Sequence, residues 1–533
     1  FAPPSLNWDE VSHGDNAYSI LKTGKDEWGQ FLPILNFRAY GDYPTPLNLY
    51  LTIPFIAFFG LNEFSIRLPH ALLGILTIIS TYFLVWGITR KRDMSLFAAF
   101  LVAVGPWYVF TSRFVLQTNL AVFFLISAMA LFFNRDRNKF FLSLSIFSLF
   151  FTLFSYHTTR IFSPLLLISL LFIYRQEIRI KFENKRVSFI SFLLIGLFFV
   201  SVFLIYKTPQ SKARGNVLFL IDQGAVNKII EKRNSSSLPS ILKRIIYNRP
   251  VYFVGEFSRN YISYFSPRFL FLEGGTQYQF SIPKKGLIYL INLPLFYLGL
   301  FLVAKKALKD KNYRLIFVWL VLFPIPASLT NEKFAVLRAT TLLPLPEIFV
   351  ALAAGVVLEK LTRYKWVLTP LYFLGILISL ETYFLAYFTT YRTNYSWAWQ
   401  YGYKEAVNYT KNHYNDYDKI IVTKKYGEPH EFLLFFMSWD PEKYRNDPHL
   451  VRFYQSNWYW VDKFDKFYFV NDWQVPRAFG QDFVLESGGD VGCMMSDVRC
   501  LLITSPESFP SGWKKLDTIN FLDGKQAFEI YEN

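Results

Sequence analysis

A chain of 533 residues, 52% hydrophobic and 20% aromatic with 58 Phe and 34 Tyr, is too apolar to be an ordinary soluble domain. Its formal net charge of +16 does not point to nucleic acid, because much of the Lys and Arg lies in short loops between apolar stretches, where anionic lipid attracts it. Composition therefore places the chain in a membrane.

The first 60 residues are punctuated by Gly24, Gly29, Pro33, Gly41, Pro44 and Pro46, which predicts short helical or interfacial segments. They carry the adjacent acids Asp9 and Glu10, whose simplest role is to cap the helix that follows, since Asp favours helix N-termini. Apolar stretches suited to a hydrocarbon core of roughly 30 Å then recur at 66–88, 95–111, 117–133, 140–156, 161–174, 187–206, 286–304, 315–330, 341–358 and 366–388. Orientation follows from the loops. Those at 90–93, 135–139, 175–186, 305–314 and 360–365 are rich in Lys and Arg, whereas the alternate loops hold Arg113, Arg160, or Lys333 and Arg338. The rich set is cytoplasmic by the positive-inside rule, so residues 1–60, the basic loop 207–285 and the tail from about 391 are expected outside. Because the sequence opens at Phe1 with its start already outside, two expectations stand: a removed signal sequence, or an anchor helix upstream.

Within 207–285 the run "SILKRIIYNRPVYFVGEFSRNYISYF" mixes basic and aromatic residues as an interfacial helix does. Residues 391–533 are more polar, and strand-like runs "DKIIVT", "KFYFV" and "CLLITS" predict a soluble α/β or α+β domain. Cys493 and Cys500 both lie there, either as a disulfide on an oxidising face or as two thiols. No clustered His, Cys and carboxylate set is legible outside the membrane, so neither metal nor cofactor is expected; Asp9, Glu10, Asp42 and His13 are the remaining oxygen and nitrogen donors.

The pieces "DEVSHGDNAYSILKTG", "GDYPTPLNLYL" and "RLPHALLG", with looser likeness in "GPWYVFTSRFVLQTNL", "SYHTTRIFSPLL" and "LRATTLLPLP", resemble the polyprenyl-phosphate-dependent glycosyltransferases of the GT-C fold. These include the protein O-mannosyltransferases and aminoarabinose transferases. The likeness covers about 1–390 in topology. It implies an α-helical integral membrane protein of about ten visible spans, with the soluble tail appended. A first transmembrane helix precedes the acidic pair in that family and does not precede it here.

The resemblance implies a sugar donor on a polyprenyl phosphate, a protein, lipid or glycan acceptor, and no nucleic-acid partner. Asp9 is then the base that takes the acceptor's proton, with Glu10 orienting the acceptor or Asp9. Asp42, in "YGDYPTP", is a further acidic candidate or an ordinary turn residue. Arg67 answers to the family's lipid-phosphate Arg, whose planar fork donates two hydrogen bonds to one anion. Arg113, Arg160 and Arg338, each at the outer end of a span, either converge on the same phosphate or snorkel to headgroups. His157 hydrogen-bonds phosphate or sugar, or is structural. Competing readings are a multispan transporter or flippase, which predicts inverted repeats and mid-membrane ionisable groups, and a surface protein with a membrane anchor.

Overall fold

The computed structural model describes residues 2–181, 185–208, 219–455, 458–478, 480–493 and 497–533. The expected cytoplasmic loop 175–186 and external loop 207–285 thus lie partly outside the described residues, at 182–184 and 209–218. Helices α1 (Trp8–Thr23) and α2 (Leu47–Phe59) come first, followed by α3 (Glu63–Thr89), α4 (Arg92–Val104), α5 (Pro106–Thr111), α6 (Gln117–Phe133), α7 (Phe141–Ser155) and α8 (Thr159–Ile173). Then come α9 (Arg175–Lys181), α10 (Lys185–Lys207), α11 (Gln223–Ser235), α12 (Ser240–Ile246) and α13 (Arg249–Ser263). A second helical run holds α14 (Leu293–Ala307), α15 (Lys311–Leu322), α16 (Pro324–Ser328), α17 (Leu345–Lys360) and α18 (Lys365–Ala386). The C-terminal part adds α19 (Tyr403–Asn412), α20 (Pro429–Met437) and α21 (Pro441–Arg445).

Among the described residues, five segments are long and apolar enough to cross a bilayer: Glu63–Thr89, Val187–Lys207, Leu290–Ala307, Thr340–Lys360 and Thr362–Asn394. Shorter apolar helices are α2, α6, α7 and α8. The protein is integral to a membrane. Two expected spans are broken. The stretch 95–111 divides at Gly105, whose extended backbone and following Pro106 end α4 and start α5. The stretch 315–330 divides at Phe323, where Pro324 and Pro326 start α16. The spans expected from 286 and 341 start later as α-helix, at Leu293 and Leu345, each one residue before a proline at the helix start. Hydropathy averages over these breaks because the breaking residues are themselves apolar or small.

The chain forms two compact units, residues 71–112 with 116–383, and residues 1–70 with 113–115 and 384–533. In the first, helices meet through small and hydroxylated side chains, as lipid-embedded helices do. Ser143 bonds Ser191 at 2.9 Å, Thr152 bonds Ser163 at 2.7 Å, and Ser145 donates to the Ala128 carbonyl at 2.7 Å. A Cβ at Gly299 would strike the Phe349 carbonyl, so α14 and α17 need that glycine. The exposed Val254 and Ile262 of α13, with Arg249 and Arg259, show the amphipathic pattern expected of an interfacial segment.

The second unit is built on strands β1 (Lys419–Thr423), β2 (Val451–Gln455), β3 (Trp458–Phe464), β4 (Phe467–Val470), β5 (Cys500–Thr504), β6 (Lys514–Asn520) and β7 (Gln526–Glu532), in the order β2-β3-β4-β1-β5-β7-β6. The trio β4-β1-β5 is parallel and the flanking pairs are antiparallel. Alternation divides its faces: Ile420, Val422, Phe467, Phe469, Leu501 and Ile503 face one core, while Ile421, Tyr468, Val470 and Leu502 face another. The first core also takes Val11, Ala17 and Ile20 of α1 and Phe432, Leu433 and Phe435 of α20, so the chain's two ends share it. A Cβ at Gly14 would overlap the Phe435 ring, which is how closely α1 and α20 pass. Cys493 and Cys500 form a disulfide, which decides between the two expectations.

Candidate functional site

Helix α1 starts on a capping box in which Asn7 Oδ1 accepts from Glu10 N at 2.9 Å and Glu10 Oε2 accepts from Asn7 N at 3.4 Å. It ends at Gly24, whose φ of 72° is the left-handed conformation a glycine allows. Between these caps the helix is unusual in burying polar side chains, among them Ser12, His13, Asp15, Asn16 and Ser19. Such a helix does not pay for itself by apolar burial. Its polar groups need partners, and the segments around it supply them.

Asp9 is exposed, in the positively polarised first turn of α1. The Tyr40 hydroxyl donates to its Oδ1. The Tyr40 ring stacks on Trp458 of β3 with centroids 5.0 Å apart, the Trp8 ring lies 6.0 Å away, and Trp458 Nε1 donates to Glu428. An aromatic wall thus fixes the phenol that orients Asp9.

Glu10 is fully buried. Its Oε1 accepts from Arg67 Nε at 2.8 Å and from Val115 N at 3.0 Å, and its Oε2 from Arg67 Nη2 at 2.6 Å and from Asn7 N. Four donors occupy the roughly four acceptor positions of a carboxylate, so no lone pair remains for an acceptor substrate. The expectation that Asp9–Glu10 merely cap α1 is met in part, since Glu10 closes the capping box. Arg67 also donates Nη2 to the Ser5 carbonyl at 2.7 Å, so its fork is clamped on a carboxylate with Nη1 outside these bonds. Arg113 donates Nε to the Ala2 carbonyl at 3.0 Å and lies 5.7 Å from the Tyr387 ring and 5.2 Å from that of Phe388. Tyr387 is within electrostatic reach of Arg113, Arg67 and Glu10. Arg113 therefore lies beside the buried Tyr387 ring.

Asp42 is half-buried in a turn, accepting from Tyr43 N on Oδ1 at 2.7 Å while its carbonyl accepts from Ala39 N at 3.1 Å. The remaining expected residues belong to the other unit. Arg160 is buried, donating Nε to the Leu153 carbonyl and Nη1 to His157 Nδ1, both at 3.0 Å, so it ties the end of α7 to the start of α8 rather than snorkelling. Arg338 bonds Thr330 at 2.6 Å and Glu332 at 2.9 Å.

Sequence reasoning missed Tyr40 as the partner of Asp9, and it missed a buried set of metal-ligand type made of Glu27, His430 and Glu431. The expectation of no such cluster does not hold: Glu27 lies about four hundred positions from the adjacent His430 and Glu431, and only "PHEF" hinted at a ligand pair. Asp9, Glu10, Asp42 and His13 form no such group among the described residues. Desolvation dominates the electrostatics around α1. Burial, then Glu27, holds Asp15 well above the usual carboxylate range. Burial followed by Glu27 and Asp15 does the same to Glu431, and burial pushes His430 well below the usual imidazole value. Burial lowers His13, whose Nε2 bonds Thr52 at 3.3 Å, to about 4.

Residues 1–159 match the family described as dolichyl-phosphate-mannose-protein mannosyltransferase. An uncharacterized protein of Aquifex aeolicus (strain VF5) is 26% identical over 132 residues, which is 25% of this chain and 25% of that one, so the chain matches about a quarter of that relative's length. Among solved structures, the apo oligosaccharyltransferase of Archaeoglobus fulgidus aligns with a TM-score of 0.46 and 13% identity over 81% of this chain and 60% of its own. The archaeal oligosaccharyltransferase AglB of the same organism, in complex with an inhibitory peptide and a dolichol-phosphate, aligns with a TM-score of 0.46 and 14% identity over the same shares. ArnT from Cupriavidus metallidurans in the apo state aligns with a TM-score of 0.47 and 10% identity over 98% of this chain and 93% of its own.

Proposed function

We propose that this protein is an inverting glycosyltransferase of the GT-C type that moves a sugar from a polyprenyl-phosphate donor to an acceptor hydroxyl on the extracytoplasmic face of the membrane. The observation that carries the reading is the N-terminus of α1, where an exposed Asp9 oriented by Tyr40 adjoins the Glu10–Arg67 clamp, within the 159 residues that match the mannosyltransferase family. The loops rich in Lys and Arg support the orientation.

In this reading Asp9 accepts the acceptor's O–H proton as that oxygen bonds to the anomeric carbon. The bond from the anomeric carbon to the phosphate oxygen breaks with the opposite sense, and polyprenyl phosphate leaves as an anion. One displacement inverts the centre without a covalent sugar–enzyme intermediate, and a nearby carboxylate stabilises the oxocarbenium-like transition state. Glu10 is a positioning residue that presents Arg67. Arg67 and Arg113 supply the positive charge for the departing phosphate. Asp42, two residues after Tyr40, is the second acidic candidate.

A transporter reading draws support from an ionisable side chain buried in the membrane unit, Glu347, which accepts from the Tyr108 hydroxyl at 2.9 Å. Glu347 sits in the first turn of α17, however, where the helix end favours a carboxylate, and not at mid-helix. The deciding experiment incubates purified protein with a panel of radiolabelled polyprenyl-phosphate sugars and an extract of acceptors. Loss of label from the lipid with inversion at the anomeric carbon supports transfer. Retention of label across the panel, with movement of lipid or solute across a vesicle, would establish the transporter instead.

A further inference from the structure

Between the loop after α1 and the start of α20, three buried side chains converge. Glu27 lies in the loop after α1, held there by its N–H donating to Asn16 Oδ1 at 3.0 Å. His430 and Glu431 come from the first turn of α20. One ligand atom from each of the three lies within 4.8 Å of the others. All three are buried, at 2% exposure for Glu27, 3% for His430 and 1% for Glu431.

The hydrogen bonding of this cluster is incomplete. Glu27 takes Arg452 at 3.1 Å and Tyr444 at 3.4 Å, both on Oε1. His430 Nδ1 and Glu431 Oε2 have no hydrogen-bond partner. His430 Nε2 stands 3.8 Å from Glu431 Oε1, too far for a hydrogen bond. It is, however, a separation that two atoms bound to one ion at about 2.0–2.2 Å can span. His430 Nδ1 is 3.4 Å from Glu428 Oε2, the placement of a carboxylate behind a metal-bound imidazole. Asp15, Glu27 and Glu431 act on one another electrostatically in a buried region whose cations are Arg452, the ion-pair partner of Glu27, and Arg445, which acts on Asp15.

We propose that Glu27, His430 and Glu431 bind a divalent transition-metal cation of the zinc type, which pins the loop after α1 to the start of α20. One imidazole nitrogen with two carboxylates suits zinc and its neighbours better than magnesium, which prefers six oxygens and retains its waters. Glu431 Oε2 or a water completes the coordination. The cation is structural: it couples the helix that carries Asp9 to the sheet domain, and it stands whether or not the chain transfers sugar. The competing arrangement is a proton shared between Glu27 and Glu431.

The test uses the full chain in detergent, purified without a chelating resin. Elemental analysis is expected to find about one equivalent of zinc or a related ion. After chelation the thermal midpoint falls, added Co²⁺ produces the visible absorption of a low-coordinate site, and Zn²⁺ bleaches it. Glu431→Gln and His430→Gln are expected to weaken cobalt binding by at least about tenfold. The proposal is overturned if the wild type gives no cobalt spectrum and the same midpoint with and without chelator, which is the shared-proton outcome. Persistence of the same spectrum in both variants also overturns it, because the ion then sits elsewhere. Should either variant fail to fold, the wild-type spectrum and midpoint decide alone.

Discussion

Replacing Glu10 by Gln removes one charge from a fully buried carboxylate that receives four N–H donors, two of them from Arg67. Breaking a buried ion pair from one side costs about 3–5 kcal/mol, because the surviving charge is left without compensation. The Arg67 side chain is 17% exposed, so water recovers part of that cost, and a glutamine oxygen keeps one or two of the bonds. A net loss of about 2–4 kcal/mol is expected. The measurement is thermal unfolding of the full chain in detergent, followed by Trp fluorescence, alongside Arg67→Gln and the double variant. Each single change is expected to lower the midpoint by several degrees, and the double variant by less than the sum, with a coupling of about 1.5–3 kcal/mol. A Glu10→Gln midpoint equal to the wild type, or strict additivity in the cycle, would refute the clamp as the element that positions Arg67.

Asp9 is exposed, so Asp9→Asn should leave the midpoint nearly unchanged while turnover falls by about 10²-fold or more, and near-normal turnover removes it from the role of base. If Arg67 meets the lipid phosphate, titration with polyprenyl phosphate should give affinities in the order wild type, Arg67→Lys, Arg67→Ala, with a total loss of about 1.5–3 kcal/mol; equal affinities exclude it. His13 has its pKa lowered to about 4 in the folded protein, against about 6.5 unfolded, so the unfolded chain binds more protons between those values. Its contribution, on the order of 3 kcal/mol, is present above pH 6.5 and lost as the pH falls toward 4. A His13→Gln variant with the same acid sensitivity as wild type would exclude that source. The Cys493–Cys500 bond closes a loop of sequence separation 7, so the double Ser variant should lose at most about 2.5 kcal/mol, read from thermal midpoints under matched conditions.

Of the ten stretches expected from hydropathy, five coincide with segments that are long and apolar enough to cross a bilayer among the described residues, because a helix in lipid must be apolar over much of its length whatever its neighbours are. Hydropathy also located β1, β4 and β5, the parallel centre of the sheet, where burial on both faces makes a strand a continuous apolar run. The outer strands escaped it: β6 reads KKLDTIN, since an edge strand with an exposed face needs no apolar run. Breaks such as Gly105–Pro106 were visible as residues but not as helix ends. In α1 the acidic pair was legible and the division of labour within it was not. Only the approach of Arg67 and Val115 N to Glu10, and of Tyr40 to Asp9, makes one carboxylate a buried anchor and leaves the other exposed. The burial of Asp15, and the meeting of Glu27 with His430 and Glu431, likewise depend on the two ends of the chain sharing one core. Local sequence reports the cost of placing a side chain in water or lipid, whereas a polar side chain's partner is fixed by contacts hundreds of positions away.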